Sequence, residues 1–151
     1  MQIRNPALTA AKVLLTLTAL EFFGPIVRDT GASHLFNPDW TGHARVHLVW
    51  LLGFMGTSGL MNLYLLWLRR PSDERDVHLA AALQCCNLAG FWLAYFLGPA
   101  YAGVIAVPGV HVKILGWDEN VFGFAIFTTL VGTALALLAR AHLAMRALAA
   151  R

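Results

Sequence analysis

Apolar residues along the chain gather into four long runs, roughly 7–27, 47–68, 77–97 and 121–139, with polar residues concentrated between them. A run of about 18 or more apolar residues, wound as a helix rising ~1.5 Å per residue, can cross the ~30 Å hydrocarbon core of a bilayer. The pattern predicts an all-α integral membrane protein. Its single domain, 1–151, is a bundle of four transmembrane helices at about 7–27, 43–69, 77–98 and 120–146. The first run reads as a retained helix, because it is long, contains Glu21 and ends in FFGPIVRD without the small residues of a signal-peptide cleavage site.

Local signals place the helix ends. Asn5-Pro6 and Asn37-Pro38 each combine an amide side chain suited to capping with a proline suited to the first helical position. An unbroken second helix from Pro38 to Arg69 would be about 48 Å long at ~1.5 Å per residue. It therefore either projects from the membrane or bends at Gly42 after a short interfacial segment. RRPSDERD is a polar turn in which Pro71 stops the second helix. The third connection, GPAYAGVIAVPGVHVKILGWDEN, is apolar but interrupted by Pro99 and Pro108. Its VIAV-PG-VHVKI portion predicts a short β-hairpin about a Pro-Gly turn, an extracytoplasmic lid over the helix ends.

The third helix has two distinct stripes. Ala82, Cys86, Gly90, Ala94 and Gly98 form a ridge of small residues suited to close helix contact, with a second copy or another subunit as partner. Gln84, Asn87 and Tyr95 form a polar stripe expected to face inward. The adjacent Cys85 and Cys86 lack metal-site spacing and read as packing residues.

Composition adds orientation. The chain is 58% hydrophobic and 13% charged, with a formal net charge of +3. Arg4, Arg69, Arg70, Arg75, Arg140, Arg146 and Arg151 fall at the N-terminus, the second loop and the C-terminus, whereas the other loops mix acids and bases. The bias predicts both termini on the cytoplasmic side of a plasma (inner) membrane. The positive charge is then a topology signal, with nothing pointing to nucleic acid.

Ionisable groups inside membrane helices are costly, so each is a site hypothesis. Glu21 lies about two turns inside the outer end of the first helix, and His47 lies just inside the same end of the second. His43, His47, Ser58 and Asn62 share an arc of the second helix. With Glu21, Gln84, Asn87 and Tyr95 they are expected to line one outward-opening cavity bordered by His34, Asp39, His111, Asp118 and Glu119.

Two chemistries suit that set. His43 and His47 at i and i+4, completed by Glu21, can hold a divalent transition metal, although H-x-x-x-H lacks the glutamate of a zinc-protease helix. Alternatively, Glu21 and His47 exchange protons with an apolar, lipid-like substrate held by Ser58, Asn62, Gln84, Asn87 and Tyr95. A plainer reading has Glu21 paired with Arg28, Arg45 or a histidine merely to make its burial tolerable, in a non-catalytic subunit of a larger membrane complex. His78 and His142, interfacial and beside charges, are poor haem ligands.

The block HLFNPDWTGHARVH, after a membrane helix with an internal glutamate, resembles an N-P-x-W-x-x-H-A-R-x-H-like block of small uncharacterised bacterial four-helix membrane proteins. The four-helix plan is also similar to the DoxX-like and EXPERA families, whose members bind or act on apolar molecules in an intramembrane pocket. That second resemblance covers architecture without matched motifs. It implies only that four helices can enclose a lipid-sized ligand.

Overall fold

The computed structural model describes residues 5–69, 74–106 and 112–149. Four helical spans among them are long and apolar enough to cross a membrane: Pro6–Asp29, Gly42–Leu68, Glu74–Tyr101 and Glu119–Ala147. The first comprises α1 (Pro6–Thr18) and α2 (Leu20–Asp29); the second is α3 (Gly42–Leu63), continued by a π-helical turn at Tyr64–Leu68. The third is α4 (Glu74–Leu97), ending in a 3₁₀ turn at Gly98–Tyr101, and the fourth lies within α5 (Glu119–Ala149).

The two Asn-Pro pairs do different work. Asn5 caps α1, its Oδ1 accepting from the N–H groups of Ala7 (3.1 Å) and Leu8 (3.4 Å). Asn37 instead closes an Asx turn by accepting from Asp39 N–H at 2.9 Å. Arg45 Nη2 pins that turn by donating to the Asn37 carbonyl at 2.7 Å. The helix consequently begins at Gly42, where Thr41 Oγ1 accepts from Ala44 N–H at 3.2 Å. Of the two geometries predicted for this span, the break near Gly42 is the one formed.

The core is drawn from one stripe of each element: Ala11 and Leu15 of α1, Leu65 and Leu66 of the π turn, Val77, Ala80, Ala81 and Leu88 of α4, and Val131, Ala134 and Leu138 of α5. Adjacent residues on an α-helix diverge by about 100°, so burying both Leu65 and Leu66 is eased by the local unwinding of a π turn, closed by Arg69 N–H to Tyr64 C=O at 2.9 Å. The fully buried Ala11 and Ala134 let α1 run close along α5.

Beyond Ala19 the chain leaves α5 and packs on α3 as α2. Gly59 makes that contact feasible: a Cβ there would lie 2.9 Å from Phe22 Cβ and 2.7 Å from Phe23 Cζ. The break has three identifiable causes. Phe22 N–H reaches only to Ala19 C=O, three residues back, at 3.1 Å. Pro25 has no N–H to offer the Glu21 carbonyl. Gln84 Nε2 intrudes from α4 to donate to Leu15 C=O at 2.6 Å.

The strand pair lies further along than predicted. β1 (Lys113–Ile114) and β2 (Trp117–Asp118) are antiparallel, with Lys113 opposite Asp118 and Ile114 opposite Trp117. Leu115 (φ 51°) and Gly116 (φ 85°) form the two-residue turn, both with the positive φ of a type I′ hairpin. Residues 104–106 form no strand, and Pro108-Gly109 lies outside the described residues. Asp118 then accepts from Asn120 N–H at 2.9 Å at the start of α5. Leu115 is 85% and Trp117 54% exposed, so these two apolar side chains of the hairpin point away from the bundle.

Candidate functional site

The break between α1 and α2 puts Glu21 in the first turn of α2, facing the bundle, where it is 1% exposed. Both carboxylate oxygens are buried without a hydrogen-bond partner. Asn87 of α4 faces the carboxyl at the edge of hydrogen-bond reach, but the two do not close into hydrogen-bond geometry, and among the described residues Asn87 Nδ2 is likewise a buried donor with no other acceptor. The Cys85 thiol stands within electrostatic reach of the same carboxyl. An isolated acceptor pair and an isolated donor thus meet inside a membrane-length helix bundle, where each unmade hydrogen bond carries a desolvation cost.

The bases that could have neutralised Glu21 are engaged elsewhere. Arg28 Nη2 binds Glu119 Oε1 at 2.7 Å, joining the end of α2 to the start of α5. Arg45 donates to Asn37 C=O. His47 Nε2 lies 3.0 Å from His43 Nε2. Pairing for tolerance of burial, the plainer reading of Glu21, is not how these side chains are arranged.

One turn away, a second buried polar group is complete. Thr18 Oγ1 lies 2.5 Å from Gln84 Oε1 and 2.9 Å from Leu14 C=O. Gln84 Nε2 donates to Leu15 C=O at 2.6 Å and to Asn62 Oδ1 at 3.0 Å. Asn62 Nδ2 donates to Ala80 C=O at 2.7 Å. Thr18, Asn62 and Gln84 are 0% exposed, and their network stitches α1, α3 and α4 together. The sequence named Asn62 and Gln84 but not Thr18, although Thr18 stands three residues before Glu21, on the same helical face.

The structure separates the other expected site residues from Glu21. His43 and His47 are exposed and pack edge-to-face on each other, with His47 stacked on Trp50. The buried side of α3 carries Leu48, Leu52, Met55, Gly59 and Asn62, and His47 is turned about 100° from Leu48. Ser58 is half-buried. Tyr95 is 38% exposed and packs edge-on against Trp92 and Phe96, since the inward stripe of α4 follows Ala80, Ala81, Gln84 and Leu88. A shared cavity of Glu21, His43, His47 and Tyr95 is therefore not formed.

The residues expected at its rim are also occupied or outside. His34 Nδ1 lies 2.9 Å from Ser33 Oγ, Asp118 caps α5, Glu119 binds Arg28, Asp39 is exposed, and His111 falls outside the described residues. Among the described residues no group of three or more His, Cys, Asp or Glu side chains is gathered closely enough to hold a metal ion.

The chain matches no protein-family model, and no curated protein or solved structure shows significant similarity to it. The chemistry of the site is accordingly read from its own groups.

Proposed function

We propose that this is a small integral membrane protein that binds, or acts by acid/base chemistry on, an apolar lipid-like molecule at the Glu21–Asn87 pair. The observation that carries the reading is the pair's incompleteness: the buried Glu21 oxygens and the buried Asn87 Nδ2 face each other at the edge of hydrogen-bond reach and have no other partner among the described residues. A hydroxyl complements both, its O–H donating to the carboxylate and its oxygen accepting from Asn87 Nδ2. Phe22 and Leu88, next in sequence to the pair, are buried and apolar, so a ligand with one hydroxyl on an apolar body matches the chemistry around it. In the same geometry the Glu21 carboxyl can exchange a proton with the bound hydroxyl, which is the acid/base form of the proposal.

Topology supports an approach from the membrane. Arg69, Arg75, Arg140 and Arg146 lie at one end of the bundle with Glu74 and Asp76, whereas Arg28, Arg45 and Lys113 lie among Asp29, Asp39, Asp118 and Glu119 at the other. We place both termini on the cytoplasmic side on this ground, with Glu21 nearer the outer face.

The test is lipid analysis of protein purified in mild detergent. The wild-type chain is expected to retain a hydroxyl-bearing apolar molecule that Glu21→Gln and Asn87→Leu both lose while remaining folded. Identical retained lipids in all three proteins would overturn the reading.

A second reading, a structural subunit of a larger complex, is favoured by one observation. Ala82, Cys86, Gly90 and Ala94 all lie exposed, and a Cβ on Gly90 would meet nothing within 4 Å. Loss of a fixed co-purifying partner on Gly90→Leu would support it, and an unchanged composition would remove it.

A further inference from the structure

A separate groove of about 480 Å³ opens at the other end of the bundle, between the start of α4 and the late turns of α5, lined by Glu74, Arg75, His78, Ala139 and His142. Its depth is set by helix length. About 20 residues at ~1.5 Å each span the ~30 Å hydrocarbon core, so counting from Glu119 brings α5 to Ala139 at the opposite boundary. The groove therefore lies at headgroup level.

Its polar inventory is unusual for a simple anion site. His78 Nδ1 lies 2.9 Å from the Glu74 carbonyl. A carbonyl can only accept, so Nδ1 carries the proton and the neutral ring keeps its lone pair on Nε2. His142 Nδ1 faces Glu74 Oε1 at 3.3 Å, so in the neutral ring with its proton on Nδ1 the Nε2 lone pair is likewise left over. Glu74 Oε1 has the His142 ring as a neighbour but no hydrogen bond among the described residues, and it is buried. The wall thus offers two ring nitrogens and the partly exposed Glu74 carboxylate, beside the Arg75 guanidinium.

We infer that this groove binds the phosphoethanolamine headgroup of a membrane phospholipid. A primary ammonium has three N–H donors for the Glu74 carboxylate, His78 Nε2 and His142 Nε2, and its positive charge answers that carboxylate. The phosphate, a short linker away, pairs with Arg75. Phosphocholine has charge without N–H donors, and phosphoglycerol has donors without charge. Each satisfies half of the wall. Basic pockets between helices at a membrane boundary are established recognition points for lipid headgroups, and the acceptors add selectivity to this one.

Native mass spectrometry of the full chain in nonionic detergent tests the assignment, using phosphatidylethanolamine, its mono-, di- and tri-N-methylated forms and phosphatidylglycerol, all with the same acyl chains. Binding is expected to fall stepwise with each methyl, to about tenfold weaker for the trimethylated lipid, a difference of ~1.4 kcal/mol. Arg75→Ala should weaken every member of the series, and Glu74→Gln should flatten it. Should Glu74→Gln fail to fold, the exposed His78→Ala is expected to remove one step of the ladder. A flat wild-type ladder, or preferred binding of phosphatidylglycerol, would overturn the inference. So would displacement of the lipid by an equal concentration of soluble phosphoethanolamine, which would mark a site for a free metabolite.

Discussion

Two polar clusters lie one helical turn apart in this bundle, both buried and both joining the first span to α4. Thr18, Asn62 and Gln84 close on one another and on three backbone carbonyls. Glu21 and Asn87 face each other without closing into hydrogen-bond geometry, and neither finds another partner among the described residues. Burial alone does not separate them, since Gln84 is 0% and Glu21 1% exposed. What differs is satisfaction. A completed network holds helices together where lipid supplies no hydrophobic drive for their association, whereas an open one has capacity left for a ligand.

Replacing Gln84 by Leu should have the largest effect, because it strands Asn62 Oδ1 and removes the bonds to Leu15 and Thr18. A loss of about 2–4 kcal/mol is expected, read as a lowered denaturant midpoint in detergent micelles. Gly59→Leu comes next: it forces Phe22 and Phe23 off α3, costs about 1–3 kcal/mol by overpacking, and displaces Glu21 from Asn87. Thermal melting combined with lipid retention should show both losses together. Glu21→Gln is expected to stay within about 1 kcal/mol of wild type, because no charge-dependent bond is broken, while abolishing ligand retention. Smallest is Arg28→Gln. The Arg28–Glu119 pair is half-exposed, so its removal should cost less than about 1 kcal/mol and the effect should shrink further in high salt.

The same comparison explains what was legible in the sequence. The four spans were, because apolar length is a property of composition, and their observed bounds agree with the predicted ones to within a few residues. Glu21, Asn62, Gln84 and Asn87 stood out as polar residues in apolar runs, and all four have buried polar atoms in the bundle. The partition of these four into a closed and an open set was not legible. It depends on the bend after Thr18 and on Gln84 reaching across to Leu15. Pro25, four residues after Glu21, was the available sign of that bend.

His43 and His47 were drawn into the site by a small error of helical phase. Ser58 and Asn62 lie toward the inner side of α3, but the histidines sit on an arc edge that tertiary packing left outside. Their i, i+4 spacing was correctly read as proximity, since the rings touch. The observed strand pair was only half legible. Lys113 and Ile114 fell in the expected strand, but their partner lies after Leu115-Gly116, a turn weak by composition, while Pro108-Gly109 falls outside the described residues.

The most direct test of the open-site account is the thermal shift of delipidated protein on adding back the lipid extract that co-purifies with wild type. The wild-type chain and Gln84→Leu, if still folded, should both be stabilised, the latter from a lower starting temperature. Glu21→Gln should melt near the wild-type temperature without lipid and show no shift with it. A Glu21→Gln protein that melts as low as Gln84→Leu, or that is stabilised by lipid as wild type is, would contradict the account.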